Sequence, residues 1–201
     1  MRADARRNRE QLVAAAVELL AEEGVDAPLD AIARRAGVGI GTLYRHFPDR
    51  HALAEAVALE AFTTVRGLAR DAAAPAAGQT GLRGFLTRIV ELRIGVFMAS
   101  LLPLLEDRPM SEELAVAFDG MVTAIEALVA HAHEAGQLRE DASADDVMLL
   151  LAVLTQPLPG GPREYGAAVT PRLLHLAVEG LQPSEHATCP PPAPARPGWG
   201  A

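Results

Sequence analysis

Several polar side chains that can donate or accept hydrogen bonds are clustered in one short stretch of the 201-residue chain. They are Thr42, Tyr44, Arg45 and His46. If the stretch is helical from Ile40, Leu43 and Phe47 point into a core and the polar groups lie on or beside the open face. Such a helix suits the major groove of DNA, where each base pair shows a distinct pattern of donors and acceptors. The spacing therefore predicts a DNA-contacting helix.

A second short helix precedes this one and completes a helix-turn-helix at about residues 28–47. Pro28 opens it, and Asp30 places negative charge near its positive end. Apolar residues recur at helical spacing to Ala36, and Gly37 stops the helix because glycine enters the left-handed region without a Cβ clash. A helix before it, Asp4 to Glu23, ends at Gly24 and packs the pair into a three-helix unit.

The segment from Ile32 to Leu53, IARRAGVGIGTLYRHFPDRHAL, resembles the TetR family of one-component bacterial regulators. Many residues match the family pattern at fixed spacing. They are Ile32, Ala33, Ala36, Gly37, Val38, Gly41, Thr42, Leu43, Tyr44, His46, Phe47 and Arg50. Two residues depart from it, since the family often has Thr at Pro28 and Ser or Thr at Gly39. The resemblance is strong to about Leu68 and only architectural beyond.

The resemblance implies contacts to the DNA backbone as well as to bases. Tyr44 and Arg50 match family positions that hold phosphates, and Thr42 can reach a phosphate or a thymine methyl group. Gly41, which lacks a side chain, lets the helix backbone approach the DNA closely. Phosphate contacts of this kind fix position without reading sequence.

Base reading is implied for Ile40, Arg45 and His46, which occupy positions that tend to face bases. Arg45 is the best candidate because an arginine can bridge guanine O6 and N7. The alternative is that Arg45 is an ordinary exposed charge on the helix surface. The four arginines among the first nine residues have a similar pair of interpretations, an arm near the DNA backbone or a solvated helix start.

The charge distribution agrees with a DNA-binding N-terminus although the whole chain carries −8. Residues 1–51 contain eight arginines and eight acids, whereas residues 52–201 contain ten arginines and eighteen acids. The excess negative charge thus lies behind the motif, and phosphate binding depends on local charge. The single cysteine, Cys189, excludes a disulfide framework and fits a reducing cytoplasm. No apolar stretch is expected to span a membrane.

The Ala- and Leu-rich composition predicts an all-α fold with a three-helix DNA-binding domain at 1–50 and a larger helical domain at 51–181. We expect a long helix from Arg50 to Asp71, one helix over Gly81–Leu102 broken by Pro103, and a disordered Pro-rich tail at 182–201. The last helix either begins at Thr170–Pro171 or passes through that proline from an earlier start.

The larger domain is expected to bind a ligand and to form a homodimer through the last two helices. The two DNA-binding domains of the dimer would then read a palindromic operator on double-stranded DNA. A small apolar ligand would release this repressor from the operator. The expected pocket residues are Phe85, Ile89, Phe97, Phe118 and Met121. The alternative is that these side chains only fill the core.

Competing functions find less support in the sequence. An enzyme would use groups such as Glu91, Glu106, His131 and His175, but these fall on separate segments with no recurring catalytic spacing. His131 and His133 are two residues apart on a helix, so they cannot readily hold one metal ion. No cofactor is expected. A ligand-binding protein with a vestigial DNA-reading head remains the alternative to a regulator.

Overall fold

A computed structural model describes residues 2–24, 26–74, 81–105, 108–154 and 163–184, with nothing described of the side chains of 2–3, 96–97, 99–100, 102 and 163–168. Within these ranges the chain forms nine α-helices and no β-strand, which confirms the all-α prediction. They are α1 (Arg2–Glu23), α2 (Leu29–Arg35), α3 (Ile40–His46), α4 (Arg50–Ala73), α5 (Gly81–Glu91), α6 (Ile94–Leu105), α7 (Glu112–Glu134), α8 (Ala144–Leu154) and α9 (Arg163–Gly180).

The helices are divided between two compact units. The first unit consists of the described residues of Met1–Phe62 and Val96–Ala117, and the second of those of Thr63–Gly95 and Phe118–Ala201. The N-terminal part of α4 therefore belongs to the first unit. The predicted boundary between residues 50 and 51 stays a prediction.

Helices α1, α2 and α3, here called the head, pack against one another in the first unit. The side chains at their centre are fully or nearly fully buried and nearly all aliphatic. They are Leu12, Ala16, Leu19, Ile32, Ala33, Leu43 and Phe47. Burial stabilises each of the Leu, Ile and Phe side chains among them by about 1.5–3 kcal/mol relative to exposure. The short α2 and α3 thus depend on this shared core, since isolated helices of their length are unstable in water.

The turn between α2 and α3 depends on Gly37, whose φ of +69° lies in the left-handed region. The Gly37 N–H donates to the Arg34 carbonyl at 3.1 Å, and the Val38 N–H donates to the Ala33 carbonyl at 3.0 Å. This pair of bonds is a Schellman motif, which satisfies the last carbonyls of α2. The predicted glycine stop is confirmed, and it sets the direction in which α3 leaves α2.

Side-chain caps also begin two later helices. The Leu114 N–H donates to Ser111 Oγ at 3.3 Å at the start of α7. At the start of α8, the Asp146 N–H donates to Ser143 Oγ at 3.2 Å, while the Ser143 N–H donates to Asp146 Oδ2 at 2.8 Å. This reciprocal pair satisfies N–H groups that a helix start leaves without partners.

The prediction of one helix over Gly81–Leu102 is wrong, because the chain breaks into α5 and α6 at Leu92–Arg93. Arg93 has a φ of +54°, which is incompatible with a continuous right-handed helix. The stretch is apolar on most of its circumference, so its periodicity gave no sign of an interruption. The break also carries an arginine where glycine or asparagine is the usual signal.

Both prolines predicted to affect helices lie inside them. Pro103 is in α6, which ends two residues later at Leu105, so the prediction that it breaks the helix is wrong. Its missing N–H removes one bond to the carbonyl four residues earlier, and the helix continues for only two residues beyond it. Pro171 is in α9, which begins at Arg163, and this settles the choice in favour of the earlier start.

In the second unit, α5 packs against α8 and α9, which also contact each other. Arg83 of α5 and Glu179 of α9 form an ion pair at 2.5 Å, and the hydrogen bond from Arg83 lowers the pKa of Glu179. A cavity of about 360 Å³ lies beside this pair. Its lining includes Leu82, Leu86, Gln137, Val178 and Leu181.

Among the described helices, α7 is long and apolar enough to cross a membrane by length and composition alone. Asp119 and Glu126 nevertheless lie in its central turns. Ile125 and Leu128 are buried in the second unit. Core helices of globular domains share these properties.

Candidate nucleic-acid interface

Helix α3 is anchored on one side and exposed on the other. Leu43 and Phe47 are buried in the head, whereas Ile40 is 41% and Tyr44 50% exposed. The predicted division of α3 into a core face and an open face is therefore present in the structure.

Arg45 lies on the exposed side of α3 and folds back along its own helix. Its Nε donates to the Gly41 carbonyl at 3.1 Å, and its Nη2 donates to Thr42 Oγ1 at 3.0 Å. Three of the predicted site residues are thus joined in one hydrogen-bonded group. The guanidinium stays at the surface, where the Nη1 end is turned away from both contacts.

His46 and Phe47 close the C-terminal end of α3. Their ring centroids are 6.3 Å apart with an interplanar angle of 48°. The guanidinium carbon of Arg9 in α1 lies 5.3 Å from the centroid of the Phe47 ring, a cation–π geometry. Arg9 therefore helps to hold α1 against the end of α3. The sequence had left two interpretations for this arginine, an arm near the DNA backbone or a solvated helix start.

Arg50 is half-buried and contacts the protein backbone. Its Nη1 donates to the Ala27 carbonyl at 2.8 Å, immediately before α2. Ala27 itself is fully buried, so this bond joins the start of α4 to the connection between α1 and α2. The family resemblance implied a phosphate contact for Arg50, whereas the structure places its guanidinium in a contact within the first unit.

Asp49 and Glu55 link the start of α4 to the segment that precedes α7. Asp49 Oδ1 accepts the Ala52 N–H at 2.8 Å, and Asp49 Oδ2 accepts from Arg108 Nη1 at 2.9 Å. Glu55 accepts the Ser111 N–H at 2.8 Å. The Asp49 cap was recognisable from its position before α4. The other two contacts join residues more than fifty positions apart, and no local pattern indicates them.

Arg35 of α2 holds that helix against α1 through two carboxylates. Its guanidinium donates to Glu22 at 2.9 Å and to Glu18 at 3.2 Å. The hydrogen bonds from Glu22 and then Glu18 raise the pKa of Arg35 further above its usual value. Arg35 is therefore engaged within the head, while Arg34 pairs with exposed Asp30 at 3.5 Å on its own helix and with no other acid of the described residues.

Two short helices joined by a glycine turn, with α3 anchored by its apolar side and presenting a polar one, define a helix-turn-helix module. Two family models match the chain. One, described as bacterial regulatory proteins of the tetR family, covers residues 12–57, and the other, an SbtR-like transcriptional regulator C-terminal domain, covers residues 77–183. The chain belongs to the TetR family, whose members are regulators and not enzymes.

Solved structures agree with this family. A TetR transcriptional regulator of Streptomyces coelicolor is 32% identical, with 88% of this chain and 99% of that chain covered and a TM-score of 0.67. A TetR transcription regulatory protein of Mycobacterium vanbaalenii is 31% identical, with 90% and 98% covered and a TM-score of 0.65.

The similarity to a curated relative covers a quarter of this chain. An HTH-type transcriptional regulator of Staphylococcus aureus strain USA300 is 47% identical over 51 residues, which are 25% of this chain. The match spans 28% of that relative's length.

Proposed function

We propose that this protein is a dimeric, sequence-specific transcriptional repressor that binds a palindromic operator and acts in the cytoplasm. The observation that carries the proposal is α3 itself. Leu43 and Phe47 fix the helix to the head, while Tyr44 and Arg45 remain at the surface where a groove can receive them. In this arrangement Tyr44 contacts a phosphate and Arg45 reads a base.

Supporting contacts come from the neighbours of these two residues. Gly41 is exposed and has no atom within 4 Å of the position that a Cβ would take, so the DNA backbone can approach it. Thr42 offers a hydroxyl beside it, and Ile40 offers an apolar contact to a thymine methyl group. His46 lies at the end of the same helix, half-buried and within reach of the groove edge.

The dimer interface is proposed on α8 and α9, where large apolar side chains face solvent. They are Leu149 and Val153 on α8 and Leu173 and Leu176 on α9. Their spacings of four and three residues place each pair on one side of its helix. A two-fold axis at this surface would bury the same side chains from both copies. Two heads would then meet half-sites spaced by multiples of roughly 34–36 Å.

A small apolar ligand is proposed to release the repressor from DNA. Phe85, Ile89 and Met121 are buried in the second unit, and Phe118 is half-buried there. The side chain of Phe97 lies outside the described residues. Buried aromatic and thioether groups are typical of pockets for apolar ligands. A ligand lowers operator affinity only if it binds the DNA-free conformation more tightly.

The ligand site can be located with two variants. Met121→Phe enlarges a side chain in the proposed pocket, whereas Gln182→Trp obstructs the 360 Å³ cavity beside α5 and α9. A compound that shifts both the melting temperature and DNA affinity should lose its effect in Met121→Phe and keep it in Gln182→Trp. The reverse pattern would move the ligand site to the cavity. A broad apolar library without any active compound would remove the support for induction.

Selection of bound sequences from random double-stranded DNA tests the central proposal. A palindromic consensus bound by a dimer is expected, and Tyr44→Phe should weaken binding to all sequences alike because it removes a phosphate contact. A vestigial head, the alternative, predicts that no consensus emerges and that DNA columns do not retain the protein.

A further inference from the structure

The polar contacts of Arg45 use one particular edge of its guanidinium. Nε and Nη2 lie on the same side of the planar group, and both donate to α3, to Gly41 and Thr42 respectively. A guanidinium has five N–H donors in a rigid fork. The two contacts therefore occupy the side edge of the guanidinium, formed by the N–H of Nε and one N–H of Nη2. The end of the fork, formed by Nη1 and the second N–H of Nη2, is not used by these contacts.

The end of the fork is one of the two edges with which an arginine can bridge guanine, and here it is the edge that the contacts to α3 leave open. Two parallel N–H donors match O6 and N7 of that base in the major groove. Among the described residues, no group is hydrogen-bonded to Nη1 of Arg45. The side chain is exposed, so this end is open to a groove.

We propose that Thr42 is a positioning residue for base recognition, because it orients the Arg45 fork toward a guanine before DNA is bound. This inference rests on the proposed function. A free arginine side chain loses considerable rotamer entropy when it is fixed in one conformation. The contact between Thr42 and Arg45 reduces that cost in the free protein, which strengthens guanine binding relative to the other bases.

Thr42 keeps a second capacity while it holds Arg45. Its oxygen accepts from Nη2, so its own hydroxyl hydrogen remains able to donate to a phosphate. Loss of the hydroxyl therefore has two separable consequences. Loss of the phosphate contact weakens binding to all sequences equally, whereas loss of Arg45 orientation reduces discrimination at one base pair only.

The test compares Thr42→Val, which keeps the branched shape and removes the hydroxyl, with Thr42→Ser, which keeps the hydroxyl. The full-length chain and each variant are titrated against the selected operator and against the same operator with one guanine pair changed. Wild type is expected to discriminate roughly 5- to 150-fold. Thr42→Val should reduce this ratio roughly three- to tenfold, whereas Thr42→Ser should retain it within about twofold.

A double variant separates an effect through Arg45 from an independent one. In the Arg45→Ala background, Thr42→Val should leave the guanine ratio unchanged, since the group that Thr42 orients is absent. Arg45→Lys keeps the charge but replaces the rigid fork with a flexible ammonium group, so it should reduce the ratio. If Thr42→Val does not fold, as judged by circular dichroism, Thr42→Ala replaces it in the same titrations.

The results distinguish this inference from the proposed function. If wild type selects no sequence, both are overturned. If wild type selects an operator but Thr42→Val keeps or increases the guanine ratio, only the positioning role is overturned. If Arg45→Ala leaves the consensus unchanged, the base-reading role proposed for Arg45 is overturned together with the positioning role. An increased ratio would mean that the contact holds Arg45 away from the base.

Discussion

Arg108 Nη1 lies 2.9 Å from Asp49 Oδ2, while the other oxygen of the same carboxylate caps α4 through the Ala52 N–H. One side chain thus closes the start of the helix that follows α3 and binds the segment that leads into α7. The Ala52 N–H, and then Arg108, lower the pKa of Asp49 from its usual 3.8. The protonation state of Asp49 is therefore linked to the stability of the first unit.

The sign of this linkage gives a pH-dependent prediction for Asp49→Asn, which keeps an oxygen to cap α4 and removes the charge. A folded pKa below the unfolded one stabilises the protein fully above the unfolded value and loses that contribution as pH falls through the folded value. Wild type should therefore unfold at higher denaturant concentration than Asp49→Asn at pH 7. The difference should shrink below about pH 4.

Arg108→Gln provides the control for this prediction, because it removes the cation and leaves the cap. In that background, Asp49→Asn should have a smaller effect at pH 7 than it has in wild type. A difference between wild type and Asp49→Asn that is the same at pH 3 and pH 7 would contradict the linkage.

Arg50→Ala is expected to destabilise the head in addition to weakening DNA binding. The substitution leaves the buried Ala27 carbonyl without its charged donor, at a cost of about 1–3 kcal/mol. Chemical denaturation measures that loss, and Arg34→Ala is the matched control, since Arg34 is exposed and pairs only along α2. If Arg50→Ala reduces DNA affinity with unchanged stability, the phosphate contact implied by the family resemblance is its main role.

Substitutions at two glycines of the motif should distinguish effects on folding stability from effects on DNA binding. Gly37 has a positive φ, so Gly37→Ala should destabilise the protein by about 1–2 kcal/mol although space is available for the methyl group. Gly41 lies within α3 in a right-handed conformation, and Gly41→Ala should stabilise that helix by up to about 1 kcal/mol. Thermal unfolding measures both effects.

DNA affinity should follow a different order in these two variants. The added methyl group of Gly41→Ala lies where the phosphate backbone must approach, so binding should weaken in a protein that is at least as stable as wild type. Gly37→Ala should bind normally once it is folded at low temperature. Equal affinity of Gly41→Ala and wild type would show that DNA does not approach α3 closely at this residue.

The sequence predicted the parts of this protein that local rules determine. Gly37, Ser111 and the Ser143–Asp146 pair act within a few residues, so their caps and turns could be recognised in advance. The break at Arg93 could not, because an arginine took a left-handed conformation inside a uniformly apolar stretch. Local propensity favours a continuous helix there, and tertiary packing overrides it.

The candidate site was predictable to a similar degree. Periodicity separated the buried Leu43 from the exposed Tyr44, and the structure has both as expected. The inward contact of Arg50 with Ala27 depends on where the connection between α1 and α2 lies in space. A spacing pattern contains no such information, because it describes faces of single helices and not contacts across the chain.

Dimerisation through α8 and α9 predicts that a charge on their exposed apolar surface produces monomers. Val153 is 70% and Leu176 54% exposed, so Val153→Glu and Leu176→Glu should fold normally as single chains. In a dimer the introduced carboxylate of each copy would be buried at the interface. Burial of an unpaired charge is strongly unfavourable, and the two-fold axis doubles the cost. Sedimentation at micromolar concentration should therefore give a dimer for wild type and a monomer for both variants.

The matched control is Val116→Glu on α7, because Val116 is 64% exposed but lies outside the proposed surface. It should remain dimeric and keep full operator affinity. The two monomeric variants should lose most operator affinity while retaining weak binding to a single half-site, since one head contacts only a few base pairs. Val153→Glu and Leu176→Glu proteins that sediment as dimers would place the interface on another surface.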